Sequence, residues 1–229
     1  MHIPDGFLSV EVAAATYVAS GVGVGVALRR LSKLLDERMV PVVGMMTAFI
    51  FAAQMLNFPV AAGTSGHFMG GALAVFVLGP AAGLLAMTLV LVLQCLVFAD
   101  GGVTALGANV FNMSVLGCLV SLLVLLAMPR RARGRRAPFL AAGGVAAFLS
   151  IVLASAACSV ELALSGTASL RVTLPAMVGV HTFIGLAEAV ITMAALSALL
   201  AARPDLVSTW SAESPAPEPE AVSRQQRSE

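Results

Sequence analysis

The sequence predicts an all-α, polytopic membrane protein, a bundle of seven transmembrane helices with the N-terminus outside and the C-terminus inside. Three observations predict this fold. Hydrophobic residues fill 59% of the 229 positions and charged residues only 11%, whereas a soluble domain has about 25% charged residues. Long apolar runs alternate with short polar breaks. Basic residues are concentrated in alternate breaks, which is the pattern that orients helices in a membrane.

Apolar runs define the predicted spans, and all but one are long enough for a helix that crosses a bilayer, which needs about 20 residues. The runs are 7–28, 39–57, 68–78, 81–99, 103–128, 139–165 and 176–202. Gly79-Pro80 separates the short third run from the fourth and predicts a sharp turn or a kink. The count is therefore six or seven, and a short third span would have to be tilted or shielded by its neighbours.

The distribution of basic residues favours seven spans over six. With seven spans and the N-terminus outside, 12 of the 13 Lys and Arg residues are cytoplasmic, in segments 29–38 and 129–138 and in the tail from 203. Only Arg171 is then outside. Six spans would leave five basic residues outside, against the preference of basic loops for the cytoplasm.

The order of charges around the first run predicts a helix that stays in the chain. Asp5 and Glu11 precede the run, and Arg29 and Arg30 follow it. A cleaved signal peptide carries its positive charge before the apolar run. The first run is therefore predicted to be a membrane helix inserted with its N-terminus outside.

Two regions follow from composition: a transmembrane domain over 1–205 and a disordered polar tail over 206–229. The tail includes SAESPAPEPE, which has too few apolar residues to bury a core.

The net charge of +1 predicts no nucleic-acid partner. Lys33 is the only Lys, and its surroundings, RRLSKLL, are not a P-loop. Cys95, Cys118 and Cys158 lie in separate apolar runs and are interpreted as small hydrophobic residues.

Met1 and His2 begin the chain with three nitrogen donors: the terminal amine, the His2 amide and the His2 imidazole. Together they close a five-membered and a six-membered chelate ring around one ion, which leaves one corner of a square open. Nitrogen ligands in tetragonal geometry suit Ni(II) or Cu(II), and a site of this kind also accepts Co(II). His67 lies on the same predicted outer side, in a loop that contains Gly63 and Gly66, and is the candidate for the fourth corner.

Several other polar residues could support such a site. A ligating histidine usually donates its second ring nitrogen to an acceptor, and Asn57, Thr64 and Ser65 are near His67 in sequence, although they could equally cap the loop. His181 and Glu188 lie seven residues apart on one face of the last span. With Glu161 they could form a polar cluster or a network behind the ligands. The remaining amides in the spans are predicted to hydrogen-bond between helices; they are Gln54, Gln94, Asn109 and Asn112.

Five strings occur in the same order as in one known family: MHIPDGFLS, FAAQMLNFPVAAGTSGHFMGG, FADGGVTALGANVFNM, ELALSGTASL and GVHTFIGLAEAVIT. Over about residues 1–205 the chain resembles the substrate-binding (S) component of cobalt and nickel energy-coupling factor transporters, the CbiM/NikM family. The resemblance implies that the metal is bound by the amine and amide nitrogens of Met1 and His2, the His2 imidazole and His67.

The resemblance also implies a complex in the plasma membrane of a prokaryote. Its other members would be a transmembrane coupling protein (T component), two ATPase subunits (A components) and, since this chain has no further apolar run, a small membrane subunit on a separate chain. The protein itself is expected to be no enzyme and to hold no prosthetic group, with Co2+ or Ni2+ as its cargo.

Two other functions compete with this interpretation. A stand-alone secondary transporter or channel would need an intramembrane carboxylate relay or an inverted repeat. An intramembrane metalloenzyme would need HExxH or a similar cluster, which the sequence lacks.

Overall fold

Seven helices form a bundle in the computed structural model, which describes residues 1–33, 37, 39–60 and 64–211 and omits the side chains of 57–60, 64 and 65. The prediction of an all-helical polytopic membrane protein is confirmed. Five helices are long and apolar enough to cross a membrane, and α2 is a shorter apolar helix. The helices are α1 Val10–Leu31, α2 Met39–Gln54, α3 Gly71–Leu78, α4 Pro80–Phe98, α5 Leu106–Ala127, α6 Arg136–Leu164 and α7 Leu170–Ala202.

A short β-hairpin between α2 and α3 was not predicted. Its strands, β1 Asn57–Val60 and β2 Thr64–His67, pair antiparallel with Asn57 opposite His67. Each strand has only four residues, too few for a period-2 pattern to stand out from the neighbouring apolar runs. The hairpin places His67 next to the start of α3.

The short helix α3 is shielded on all sides, because each of its eight residues is buried. Gly79 adopts φ 82°, and Pro80 begins α4 immediately afterwards. A Cβ on Gly83 would lie only 2.9 Å from the carbonyl carbon of Ala74, so α4 folds back against α3 in close contact. Gly79-Pro80 is therefore a turn between two helices and not a kink within one.

Helix α5 contains a wide turn in its middle. Residues Val110–Leu116 adopt π-helical hydrogen bonding between two α-helical parts, Leu106–Asn109 and Gly117–Ala127. Such insertions often occur beside functional sites. Within the wide turn the Asn112 amide donates to the Glu161 carboxylate of α6 at 2.6 Å.

Different chain segments meet at the two ends of the bundle. At one end the Thr167 hydroxyl donates to the Phe7 carbonyl, and Asp5 accepts two hydrogen bonds from Thr104. At the other end the Arg136 guanidinium donates to the Ser197 carbonyl at 3.3 Å. The N-terminal segment and the α6–α7 loop thus share one end, and the Arg-rich segment lies at the opposite one.

Residues just after α7 are packed, although disorder was predicted from 206. The Ser208 amide donates to the Val77 carbonyl at 2.8 Å, and the Thr209 hydroxyl donates to the Phe76 carbonyl at 2.5 Å. The Trp210 ring lies 5.0 Å from that of Phe139. The buried C-terminal carbonyls of α3 need donors, and this segment supplies them. The packed chain therefore extends beyond 205 to at least Trp210, and the predicted disorder of 212–229 concerns residues outside the described part.

Candidate metal site

The N-terminal residues enter the bundle and are buried. Met1 and Ile3 have no exposed surface, and His2 is 4% exposed. The side-chain amide of Asn109 in α5 binds both main-chain groups of Ile3. Its Oδ1 accepts from the Ile3 amide at 2.8 Å, and its NH2 group donates to the Ile3 carbonyl at 3.2 Å. The Gly102 amide donates to the same carbonyl at 2.9 Å.

Two glycines after α4 make this close approach possible. Gly101 has φ 91°, and a Cβ there would lie 2.8 Å from the Asn109 side-chain nitrogen. A Cβ on Gly102 would lie 2.2 Å from the Asp5 amide nitrogen. Any larger residue at these positions would therefore push the N-terminal segment out of its place.

The His2 ring is oriented so that one particular nitrogen is available. Its Nε2 lies 3.1 Å from the Gln94 Oε1, and since an amide oxygen only accepts, Nε2 carries the proton. Nδ1 is then the lone-pair nitrogen. Within the ranges that the structure describes it has no hydrogen bond, although the Asp100 carboxylate lies 3.3 Å away. A six-membered chelate ring with the His2 amide requires this same Nδ1.

His67 lies beside His2 with the complementary arrangement. The two rings stack with centroids 4.7 Å apart and an interplanar angle of 23°. The His67 Nδ1 donates to the Phe68 carbonyl at 2.7 Å, which leaves Nε2 as the lone-pair nitrogen. That Nε2 is buried and has no hydrogen-bond partner in the part of the chain that the structure describes.

Glu188 fixes the chain immediately after His67. Its two carboxylate oxygens accept from the Met69 amide at 2.9 Å and the Gly70 amide at 2.8 Å. The Gln54 NH2 group donates to the Met69 carbonyl at 2.6 Å. Three hydrogen bonds from two different helices therefore hold residues 69 and 70, and His67 is attached to a rigid support.

Asn57, Thr64, Ser65 and His181 are the other residues predicted to support the ligands. Asn57 faces His67 across the hairpin, but its side chain and those of Thr64 and Ser65 lie outside the described residues, so their roles stay predictions. His181 is buried and donates from Nδ1 to the Met177 carbonyl at 2.7 Å. His181, Glu188 and Glu161 each bond to a different partner, and no hydrogen bond joins them to one another in the described chain.

Sequence reasoning missed the contacts that four residues make with the N-terminal segment or with the segment after His67. Gln94 and Asn109 were predicted to join helices, and this was wrong, because they bond to His2 and Ile3. Gln54 likewise bonds to the segment after His67. Asp100 was not singled out. The available signal was the presence of uncharged amides within strongly apolar spans, where polar groups are usually functional.

Burial keeps the candidate donors neutral. Loss of solvation lowers the pKa of the Met1 amine from 8.0 to about 5 and that of His2 from 6.5 to about 3. The pKa of His67 is also well below 6.5, mainly because of burial and then because of the nearby terminal amine. Each group is a neutral base at pH 7, so its lone pair is available without loss of a proton.

This donor set consists of nitrogens, two of them from the main chain. Within the described ranges, no three His, Cys, Asp or Glu side chains are grouped to hold a metal, so a side-chain cage is not formed there. The amine and amide of the first two residues with two imidazoles would supply four nitrogens. Such a set suits Ni(II), Cu(II) or Co(II) better than the oxygen-seeking ions Mg2+ and Ca2+.

Known proteins resemble the chain over nearly its whole length. Residues 2–206 match the CbiM family, described as the cobalt uptake substrate-specific transmembrane region. A protein of Archaeoglobus fulgidus named as a fused nickel transport protein, NikMN, is 44% identical over 90% of this chain and 68% of its own length. The fused nickel transport protein NikMN of Rhodobacter capsulatus is 34% identical over 90% of this chain and 64% of its own length.

A solved structure agrees with these sequence matches. The crystal structure of a truncated transition metal transporter superposes with a TM-score of 0.78 at 31% identity. It covers 88% of this chain, which in turn covers 99% of that chain.

Proposed function

The chain belongs to the CbiM/NikM family and is the multi-pass transmembrane component of a cobalt or nickel uptake system, and we propose how it captures the ion. It acts as the substrate-binding (S) component of an energy-coupling factor transporter. The ion is held in a square by the Met1 amine, the His2 amide, the His2 Nδ1 and the His67 Nε2.

One observation carries this proposal: two buried histidines stack beside the buried N-terminus, and each has one ring nitrogen without a hydrogen bond among the described residues. A buried polar atom without a partner is costly. A metal ion supplies the missing partner for both rings at once. Gln94 and the Phe68 carbonyl bind the opposite nitrogens, as acceptors behind metal-bound histidines generally do.

Binding is coupled to the loss of the His2 amide proton. The amine and both imidazoles are already neutral at pH 7 because burial lowers their pKa values. The His2 amide nitrogen therefore remains the one donor that must release a proton to the ion. Four nitrogens in a plane favour the d8 ion Ni(II), and the same ligands accept Co(II).

The partners follow from the family. A coupling membrane protein and two ATPases on other chains drive release of the ion toward the cytoplasm. The fused relatives carry the same region joined to further sequence, since this chain covers 68% and 64% of them, and their name supports association with a second, NikN-type subunit. A stand-alone secondary transporter or channel for another solute is the alternative.

Measurements on the chain and on cells test this function. The purified protein is expected to bind one Ni(II) or Co(II), with the absorption of a square-planar nitrogen complex for Ni(II). Cells are expected to accumulate the metal only when the coupling protein and the ATPases are present. Uptake by this chain alone would support the stand-alone alternative, and absence of metal binding would contradict the proposal.

The proposed topology has the N-terminus outside, where the ion arrives. Helix α6 has 29 residues and is therefore about 43 Å long at about 1.5 Å per residue, so Arg131 and Ser169 lie on opposite sides of the membrane. Both positions are exposed, whereas the three native cysteines are buried. We expect a membrane-impermeant thiol reagent added to intact cells to label Ser169→Cys but not Arg131→Cys. The parent chain is the blank, and labelling of Arg131→Cys would contradict this topology.

A further inference from the structure

We propose that Asp100 is the counter-charge of the metal-loaded site and adapts it to a divalent ion. This inference rests on the proposed function, since it concerns the same four nitrogens. Asp100 is a positioning residue in this proposal and not a ligand. Its carboxylate compensates the net positive charge that the buried site carries when the ion is bound.

The turn after α4 directs Asp100 toward His2. The Asp100 carboxylate lies 3.3 Å from the His2 Nδ1, and its side chain is 22% exposed. Ala99 before it has φ 52° and is the one non-glycine residue with positive φ in the described chain, while Gly101 after it has φ 91°. The Asp100 amide donates to the main-chain carbonyl of Gln94 at 3.0 Å, the residue whose side chain orients His2.

The charges of the loaded site sum to a single positive charge without Asp100. A divalent ion brings two positive charges, the deprotonated His2 amide brings one negative charge, and the amine and imidazoles are neutral. An uncompensated charge in a medium of low dielectric constant is strongly disfavoured. One carboxylate beside the ring makes the site neutral. With a monovalent ion the same site would instead carry one negative charge.

Three other carboxylates in this part of the bundle bond to groups other than His2. Both oxygens of Glu188 accept main-chain hydrogen bonds, and Asp5 accepts from Thr104. Glu161 accepts from Asn112 through one oxygen, and its buried Oε1 has no partner within the described residues. In the described chain, Asp100 is the carboxylate that lies within ion-pair distance of His2.

Asp100→Asn tests the inference, because it removes the charge and keeps the size. We expect its affinity for Ni(II) to fall about 10–100-fold, the range known for residues that act behind metal ligands. The absorption spectrum at saturating Ni(II) should be unchanged, since all four nitrogens remain. Asp100→Glu should keep affinity close to that of the parent. Asp5→Asn is the matched control, because it makes the same change of charge at the same end without facing His2.

The outcomes separate this inference from the proposed function. Equal Ni(II) affinity of Asp100→Asn and the parent would overturn the counter-charge while leaving the function intact. A changed spectrum at saturation would overturn it in favour of a direct ligand. If Asp5→Asn lost as much Ni(II) affinity as Asp100→Asn, the cause would be surface charge in general. If Asp100→Glu lost as much, the cause would be the shape of the side chain and not its charge. The melting temperature of each metal-free variant checks that it is folded. Failure of the parent to bind Ni(II) would instead refute the proposed function.

Discussion

Adding residues before Met1 is expected to abolish metal binding while the helical bundle stays folded. An extension converts the terminal amine into an amide, so the five-membered chelate ring cannot form although every side chain remains. Met1 also has no exposed surface, and an extension would have to displace it. The helices themselves begin only at Val10, where the Ser9 hydroxyl accepts from the Val12 amide. Calorimetric titration with Ni(II) and circular dichroism measure the two effects.

Two controls make the extension test decisive. The same residues added after Glu229 should leave metal affinity unchanged. A tag that can be cleaved so that Met1 is again the first residue should restore binding after cleavage. Normal binding or normal metal uptake by the extended protein would show that the terminal amine is not a ligand.

Replacing His67 with alanine is expected to weaken Ni(II) binding by far more than tenfold. The substitution opens one corner of the square and removes the ring that stacks on His2 at 4.7 Å. Residues 69 and 70 should stay in place, because Glu188 and Gln54 hold their main chain and not the His67 ring. The loss should therefore appear in metal affinity and not in folding.

His181→Ala is the matched control for His67→Ala. His181 is also a fully buried histidine whose Nε2 has no hydrogen-bond partner in the described residues, but it is outside the proposed donor set. Its replacement should change Ni(II) affinity much less. Equal affinities of His67→Ala and the parent in calorimetric titration would refute His67 as a ligand, and an equal loss in both variants would refute the choice of donors.

Much of the fold could be predicted because the bilayer imposes strong local rules. A membrane helix must be long and apolar, since no water is available to bind its main chain. Runs such as 81–99 and 139–165 therefore correspond closely to α4 Pro80–Phe98 and α6 Arg136–Leu164. The helix α3 is an exception to this length rule. It has only eight residues, and neighbouring helices bury all of them.

The ligand candidates were also visible in the sequence, for a chemical reason. Met1 and His2 are adjacent in the chain, so the chelate rings that they can form follow from covalent structure alone. His67 was added from its position in a predicted outer loop and from the family resemblance. Its stacking on His2 could be observed only in the folded chain.

Composition and local pattern were enough to predict a helical membrane protein with a nitrogen-rich N-terminus, whereas the residues that surround this N-terminus depend on how the helices pack. Gln94 orients His2 across 92 positions, Asn109 holds Ile3 across 106, and Glu188 supports Met69 across 119. Contacts of this span depend on how the helices pack, and a local pattern cannot encode them. The contact of Trp210 with Phe139 likewise depends on tertiary packing. The segment after α7 is held by hydrogen bonds to the buried carbonyls of α3, which the composition of the tail does not reveal.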